Sequence, residues 1–83
     1  MKELFALTIL ELINIGFRTE YGQNPDYISL ENEKGNRIYV SNNGVLVGIS
    51  VFKVSARCYH TQITTVTELK DARDTIKDKL QLK

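Results

Sequence analysis

The chain has 83 residues, 42% hydrophobic and 25% charged, and its formal net charge is +1 at pH 7. These values are typical of one small globular domain, 1–83, and exclude a globally disordered chain. A near-neutral charge argues against nonspecific nucleic-acid binding, which depends on a strong positive field. The single cysteine, Cys58, excludes an internal disulfide framework and favours a reducing, cytoplasmic setting. We expect neither a signal peptide nor a membrane span.

The first predicted element is a helix over residues 2–15, ended by Gly16 at the C′ position. On a helical wheel five apolar residues share one face and predict the stripe that packs on the core: Phe5, Ala6, Ile9, Leu12 and Ile13. Leu4, Leu7 and Ile15 lie on the other arc, so the helix is more apolar than one small core requires. Either the helix lies between elements of its own domain or these three residues contact a partner.

A connection and a hairpin follow the helix. Residues 17–26 contain Gly22, Asn24 and Pro25 and predict an irregular connection. Residues 27–32 alternate as a strand. The loop at 33–35 suits a three-residue turn with Gly35 in the left-handed conformation, which pairs Leu30 with Ile38 and Ile28 with Val40.

Asn43 and Gly44 are typical of a two-residue type I′ turn, which pairs Val40 with Val47 and Ile38 with Ile49. Both turns then place the same apolar residues on one face of the sheet: Ile28, Leu30, Ile38, Val40, Val45, Val47, Ile49 and Val51. The reverse face carries Arg37, Tyr39, Leu46 and Phe52, with Tyr39 directly across from Gly48. These four residues of the reverse face belong to an acid-free segment, residues 37–67, whose charged residues are Arg37, Lys53 and Arg57.

The alternation changes parity after Val51, which predicts a β-bulge or bend near residues 53–55. Residues 45–66 therefore form either one bent strand or two. Thr65 and Glu68 have the spacing of a capping box at the start of a second helix. The buried stripe of that helix is predicted to contain Leu69, Ala72, Ile76 and Leu80. The fold class is thus α+β: an N-terminal helix, a three- to four-stranded antiparallel meander and a C-terminal helix, with both helices packed on one face.

No residue pattern predicts catalysis, a metal site or a cofactor. His60 is the only histidine and has no carboxylate nearby in the sequence to orient it. Cys58 and His60 share one face of a strand, but two ligands are too few for a metal site. The Asp residues of the second helix alternate with Lys and Arg, which is typical of an exposed, salt-bridged helix. We therefore expect a protein that is not an enzyme.

The order helix, strands, helix resembles that of double-stranded RNA-binding domains and of HicA-type toxins in topology only. The RNA-binding family has a lysine cluster at the start of its second helix, where this chain has Thr67, Glu68, Leu69, Lys70 and Asp71. The toxins carry a histidine just after a glycine in the first strand, whereas Gln23 and Asn24 follow Gly22 here. Neither activity is therefore expected of this chain.

Two functions fit the residues. The first is a protein-binding module, such as an inhibitor, adaptor or regulatory protein, as is common among accessory proteins of phages and plasmids. Its partner is another protein or a second copy in a homodimer, and its contact residues would be Leu4, Leu7, Ile15, Tyr39, Leu46 and Phe52. The alternative, less favoured by the charge, is nucleic-acid binding through Arg37, Tyr39, Phe52, Lys53 and Arg57.

Overall fold

The computed structural model describes residues 2–20 and 24–82, which form two helices and one five-stranded antiparallel sheet. The elements in chain order are α1 Lys2–Asn14, β1 Arg18–Thr19, β2 Tyr27–Glu31, β3 Arg37–Asn42, β4 Val47–Lys53, β5 Ala56–Ile63 and α2 Val66–Lys79. Each strand pairs with the next one along the chain, in the order β1-β2-β3-β4-β5. The α+β class is confirmed, and the predicted strand number of three to four is corrected to five.

The end of α1 follows the prediction from Gly16. The amide of Gly16 donates to the carbonyl of Ile13 and the amide of Phe17 donates to that of Leu12, both at 3.0 Å. This pair of bonds is the Schellman motif, which requires a left-handed residue at C′. Gly16 supplies that residue with φ +106°.

The core-facing side of α1 differs from the prediction. Its buried residues are Leu4, Thr8 and Leu12, whereas Ala6 and Ile13 are exposed and Phe5 and Ile9 are half-buried. Thr8 can occupy the buried stripe because its hydroxyl donates to the carbonyl of Leu4 at 2.7 Å. Because apolar residues lie on nearly every side of α1, the sequence does not define which side faces the core. In the structure the core-facing side is the one that contains Thr8.

The connection after α1 contains a strand that was not predicted. Arg18 pairs with Glu31 and Thr19 pairs with Leu30, which adds β1 to the edge of the sheet. Phe17, immediately before β1, is completely buried in the core. A two-residue strand has no periodicity to detect. The predicted turn residue Gly22 lies outside the described residues.

The hairpin of β2 and β3 has the predicted register, with Leu30 opposite Ile38 and Ile28 opposite Val40. Gly35 has φ +82°. The side-chain oxygen of Asn32 accepts hydrogen bonds from the amides of Lys34 and Asn36 at 3.1 and 3.0 Å. The three-residue loop is therefore stabilised by an asparagine as well as by the glycine.

The hairpin of β3 and β4 does not have the predicted register. Val40 lies opposite Ile49, Ile38 opposite Val51 and Ser41 opposite Gly48, a shift of two residues. The loop has four residues because two side chains satisfy its amides: Asn42 accepts from Gly44, and Asn43 accepts from Val45 and Leu46. A shift of two keeps each β4 residue on its predicted face, whereas Val45 moves into the loop and is 72% exposed.

Residues 45–66 contain two strands rather than one. The chain turns at Val54 and Ser55, and Val54 has φ +62°. A register shift between Val51 and Phe52 marks a β-bulge, so that Val51 faces Tyr59 while Phe52 faces Arg57. The irregularity predicted near residues 53–55 is therefore the turn, and the bulge lies one step earlier, opposite Cys58 of β5. β4 itself keeps its alternation, because Phe52 lies on the side opposite Val51 and Val54 is exposed in the turn.

The second helix has the predicted capping box and buried stripe. Thr65 accepts a hydrogen bond from the amide of Glu68, and the Glu68 carboxylate accepts one from the amide of Thr65. Leu69, Ala72, Ile76 and Leu80 are all buried. These residues belong to one core cluster with Leu4, Leu12 and Phe17 and with the apolar strand residues.

The helices contact different strands and each other. α1 packs along β3 and α2 packs along β5. Arg73 of α2 forms an ion pair with Glu11 of α1 at 3.1 Å, and both side chains are about three-quarters buried. The bond to Glu11, more than the one to Asp74, raises the pKa of Arg73. The ion pair therefore joins the two ends of the chain next to the core.

Candidate binding surfaces

The side of the sheet opposite the core residues forms the first candidate surface, here called the aromatic face. Its residues are set by the register and lie in three rows across β2 to β5: Glu31, Arg37, Phe52 and Arg57; Ser29, Tyr39, Ser50 and His60; and Tyr27, Ser41, Gly48 and Gln62. The predicted residues Arg37, Tyr39 and Phe52 are all on this face.

Three aromatic rings cross the aromatic face diagonally. The ring centroids of Tyr27 and Tyr39 are 6.0 Å apart, and those of Tyr39 and Phe52 are 5.5 Å apart in an edge-to-face arrangement. Such pairs stabilise each other beyond the area they bury. Tyr39 and Phe52 are half-buried, while Tyr27 is half exposed. The rings therefore form a continuous, ordered apolar strip on a sheet surface.

Tyr39 does not cover Gly48, as the predicted register had placed it. Ser41 is the residue opposite Gly48, and a Cβ at that glycine would lie 2.8 Å from the Ser41 hydroxyl oxygen. A side chain at position 48 would therefore require the Ser41 hydroxyl to move. Tyr39 lies opposite Ser50 instead, which brings its ring next to Phe52.

Arg37 is held by two carboxylates. Its guanidinium donates to Glu31 at 2.7 Å and to Glu20 at 3.1 Å. The hydrogen bond to Glu31 is the main cause that raises the pKa of Arg37, and the charge of Glu20 adds to it. The positive charge of Arg37 is therefore compensated within the chain, which weakens its attraction for an external phosphate.

The remaining predicted cations are separated. Arg57 is exposed on β5 opposite Phe52. Lys53 follows Phe52 on β4, so strand alternation directs it to the opposite side of the sheet. The structure thus brings Arg37, Tyr39, Phe52 and Arg57 together and separates Lys53 from them. Leu46 lies in the loop between β3 and β4, beyond the strands of this face.

His60 is exposed on the aromatic face, and its Nδ1 lies 2.8 Å from the hydroxyl oxygen of Ser50. Sequence reasoning missed this contact because the two residues are ten positions apart and meet only through the β4–β5 register. A nucleophilic serine needs a histidine that is itself oriented by a third group. Among the described residues no carboxylate hydrogen bond to His60 is found, and no cluster of three or more metal-ligating side chains.

The second candidate surface is the outward side of α1, here called the α1 stripe. Leu7, Leu10 and Ile13 are 41%, 53% and 43% exposed and lie at helical spacing on one side. Of the predicted contact residues on α1, only Leu7 belongs to it. Leu4 is buried at 7% exposure, and Ile15 follows the end of α1 and is half-buried against the core, so neither lies on the α1 stripe.

No helix in the described part of the chain is long and apolar enough to cross a membrane. Comparisons of the chain with protein-family models, with curated proteins and with solved structures found no match.

Proposed function

We propose that this chain is a non-enzymatic protein-binding module that contacts its partner through the aromatic face. The observation that supports this proposal most is the strip of Tyr27, Tyr39 and Phe52 on the sheet surface. Aromatic residues are enriched at protein interfaces, and tyrosine is enriched among the residues that contribute most to binding. An inhibitor, adaptor or regulatory protein would act through such a surface.

The arrangement of the helices supports the same surface. The core cluster contains residues of α1, of α2 and of the apolar side of the sheet. From this we infer that both helices cover the apolar face. The aromatic face is then left without an element of its own chain above it, and a partner can approach the rings directly.

The charges on the aromatic face indicate the chemistry of the partner. Arg37 is already paired with Glu20 and Glu31, whereas Arg57 is exposed at the end of the aromatic strip. We therefore propose a protein surface that carries apolar side chains for the rings and a carboxylate for Arg57. Charge complementarity of this kind sets orientation and association rate more than affinity.

The proposal is tested by placing a photo-crosslinking amino acid at position 39 and, as a control, at position 70 on the exposed side of α2. We expect a specific crosslinked protein from position 39 only. With that protein purified, Tyr39→Ala and Phe52→Ala should each weaken binding about tenfold or more, the effect of an interface anchor. Lys70→Ala should leave binding unchanged. Equal crosslinking from both positions, or unchanged affinity in both aromatic variants, would contradict the proposal.

A further inference from the structure

The two edges of the sheet are unequal. β1, at one edge, has two residues, whereas β5, at the other edge, has eight. Apart from its ladder with β4, the backbone of β5 takes part in no hydrogen bond among the described residues. A long edge strand presents a row of unused amide and carbonyl groups, which is the template for adding another strand.

From Tyr59 onward, β5 lacks the features that normally protect an edge. It contains no proline, lysine or acidic residue, and its bulge lies at the beginning, next to Arg57. From Tyr59 to Ile63 the register with β4 is unbroken, and these five residues carry no formal charge when His60 is neutral. Tyr, Thr and Ile favour extended structure. This regular, uncharged part of β5 is here called the edge segment.

We propose that two copies of this chain associate by antiparallel pairing of their edge segments across a two-fold axis at Thr61. A two-fold interface brings the same surface of both copies together, so the segment must be complementary to itself. With Thr61 on the axis, Tyr59 faces Ile63 of the second copy and His60 faces Gln62 of the second copy. Ile63 is 1% exposed within its own core, so the side chains that meet across the axis are those of His60, Thr61 and Gln62. Thr with Thr pairs stabilise neighbouring strands.

The charges near the axis permit this pairing. In this register Arg57 lies opposite residue 65 of the second copy, beyond the end of its strand, so the two arginines do not meet. α2 packs along β5 and would lie beside its copy, and it carries four acidic and four basic residues. Two such helices meet no net repulsion.

The product would be one continuous sheet of ten strands. Tyr59 and Ile63 face the same side as Val51 and Val47, and His60 and Gln62 face the aromatic side. An axis perpendicular to the sheet keeps these sides together, so both aromatic faces would point the same way. This association is made by the backbone of the edge and not by the aromatic rings, so it does not depend on the partner proposed above, although the side chains of His60 and Gln62 also belong to the aromatic face.

The test is the molar mass in solution, measured by sedimentation equilibrium from low micromolar to millimolar protein at low salt. We expect the wild-type chain to approach twice its chain mass with rising concentration. His60→Lys/Gln62→Lys places four lysines around the axis and should give a monomer, whereas His60→Glu/Gln62→Lys pairs opposite charges and should restore the dimer. Thr19→Lys, a charge at the other edge of the sheet, is the control and should remain dimeric.

A second measurement does not depend on the charged variants folding. In a Cys58→Ser background, Thr61→Cys places two thiols on the axis and should form a covalent dimer under mild oxidation, while Thr19→Cys should not. A wild-type chain that stays monomeric throughout would overturn the proposal. A dimer that persists in the four-lysine variant but dissociates in Leu10→Glu would also overturn it, because the α1 stripe would then be the interface.

Discussion

At the scale of single residues, Phe17 shows how a side chain in an irregular stretch can determine the core. It is the largest fully buried side chain among residues 2–20 and 24–82, and it lies between the C-terminal turn of α1 and β1. Its position follows from the Schellman motif, in which the amide of Phe17 bonds to Leu12 and fixes the direction of the chain. Gly16 therefore places Phe17 in the core.

Replacing Phe17 by Ala should lower the free energy of unfolding by about 3 to 5 kcal/mol, because the change removes a buried ring and leaves a cavity. Urea unfolding followed by circular dichroism measures this loss. Val45→Ala is the control, since Val45 is 72% exposed in a loop and its truncation should change stability by less than about 0.5 kcal/mol. A loss of less than about 1 kcal/mol for Phe17→Ala would contradict the burial of this ring.

At the scale of elements, the capping box connects the end of β5 to α2. The Glu68 carboxylate accepts hydrogen bonds from the amide and hydroxyl of Thr64, at 2.9 and 2.8 Å, and from those of Thr65. These bonds, with the Thr64 amide first, lower the pKa of Glu68 from its ordinary value of 4.5. The ionised carboxylate therefore stabilises the folded chain.

Because the folded pKa of Glu68 is lowered, its stabilising effect is complete above the ordinary pKa and is lost as pH falls through the folded value. Glu68→Gln should thus be less stable than wild type at pH 7, and the difference should shrink below about pH 4. Urea unfolding at both pH values measures it. Glu33→Gln, an exposed carboxylate in the β2–β3 loop, is the control. A difference that grows on acidification would contradict the role of the ionised carboxylate.

The N-cap itself can be tested separately. Thr65→Ala removes the acceptor for the amide of Glu68 and should lower the free energy of unfolding by about 1 kcal/mol. Thr67→Ala, an exposed threonine in the first turn, is the matched control and should change it by less than about 0.5 kcal/mol. Equal losses of unfolding free energy in both variants would contradict a specific stabilising role for the N-cap hydrogen bond of Thr65.

The sequence predicts elements well where one local signal determines them. Gly35 gave the register of the first hairpin, and Thr65 with Glu68 gave the start of α2. The prediction of the second hairpin's register was wrong, because the side chains of Asn42 and Asn43 accept hydrogen bonds from loop amides and stabilise a four-residue loop. The sequence also fails on α1, whose apolar residues surround the helix. The aromatic face was nevertheless predicted, because a register error of two residues leaves every strand residue on its own side.

At the scale of the whole molecule, the uneven charge along the chain is partly cancelled in space. Residues 37–67 contain no acid, yet Arg37 is compensated by Glu20 and Glu31 from earlier in the chain. Of the cations predicted for nucleic-acid binding on the aromatic face, Arg57 alone lacks an ion pair in the described part of the chain. Arg18 of β1, opposite Glu31, is a second exposed arginine on this side, and two such residues contribute little counterion release.

We therefore expect binding to labelled single- and double-stranded oligonucleotides to be weaker than about 100 μM at low salt, measured by fluorescence anisotropy. The double variant Glu20→Gln/Glu31→Gln removes both ion pairs of Arg37 and should strengthen oligonucleotide binding. Glu33→Gln is the control, because it changes the net charge away from the aromatic face. Low-micromolar binding by the wild type that Arg57→Ala abolishes would favour the nucleic-acid function instead.

The nearest-neighbour order of the strands has a consequence for folding kinetics. Every strand pairs with the next strand along the chain, so each hairpin can form without first closing a long loop. The contact between Glu11 and Arg73, in contrast, spans 62 residues. We expect the sheet to grow hairpin by hairpin and the two helices to meet last. The transition state for folding would then contain strand pairs before it contains the contact between α1 and α2.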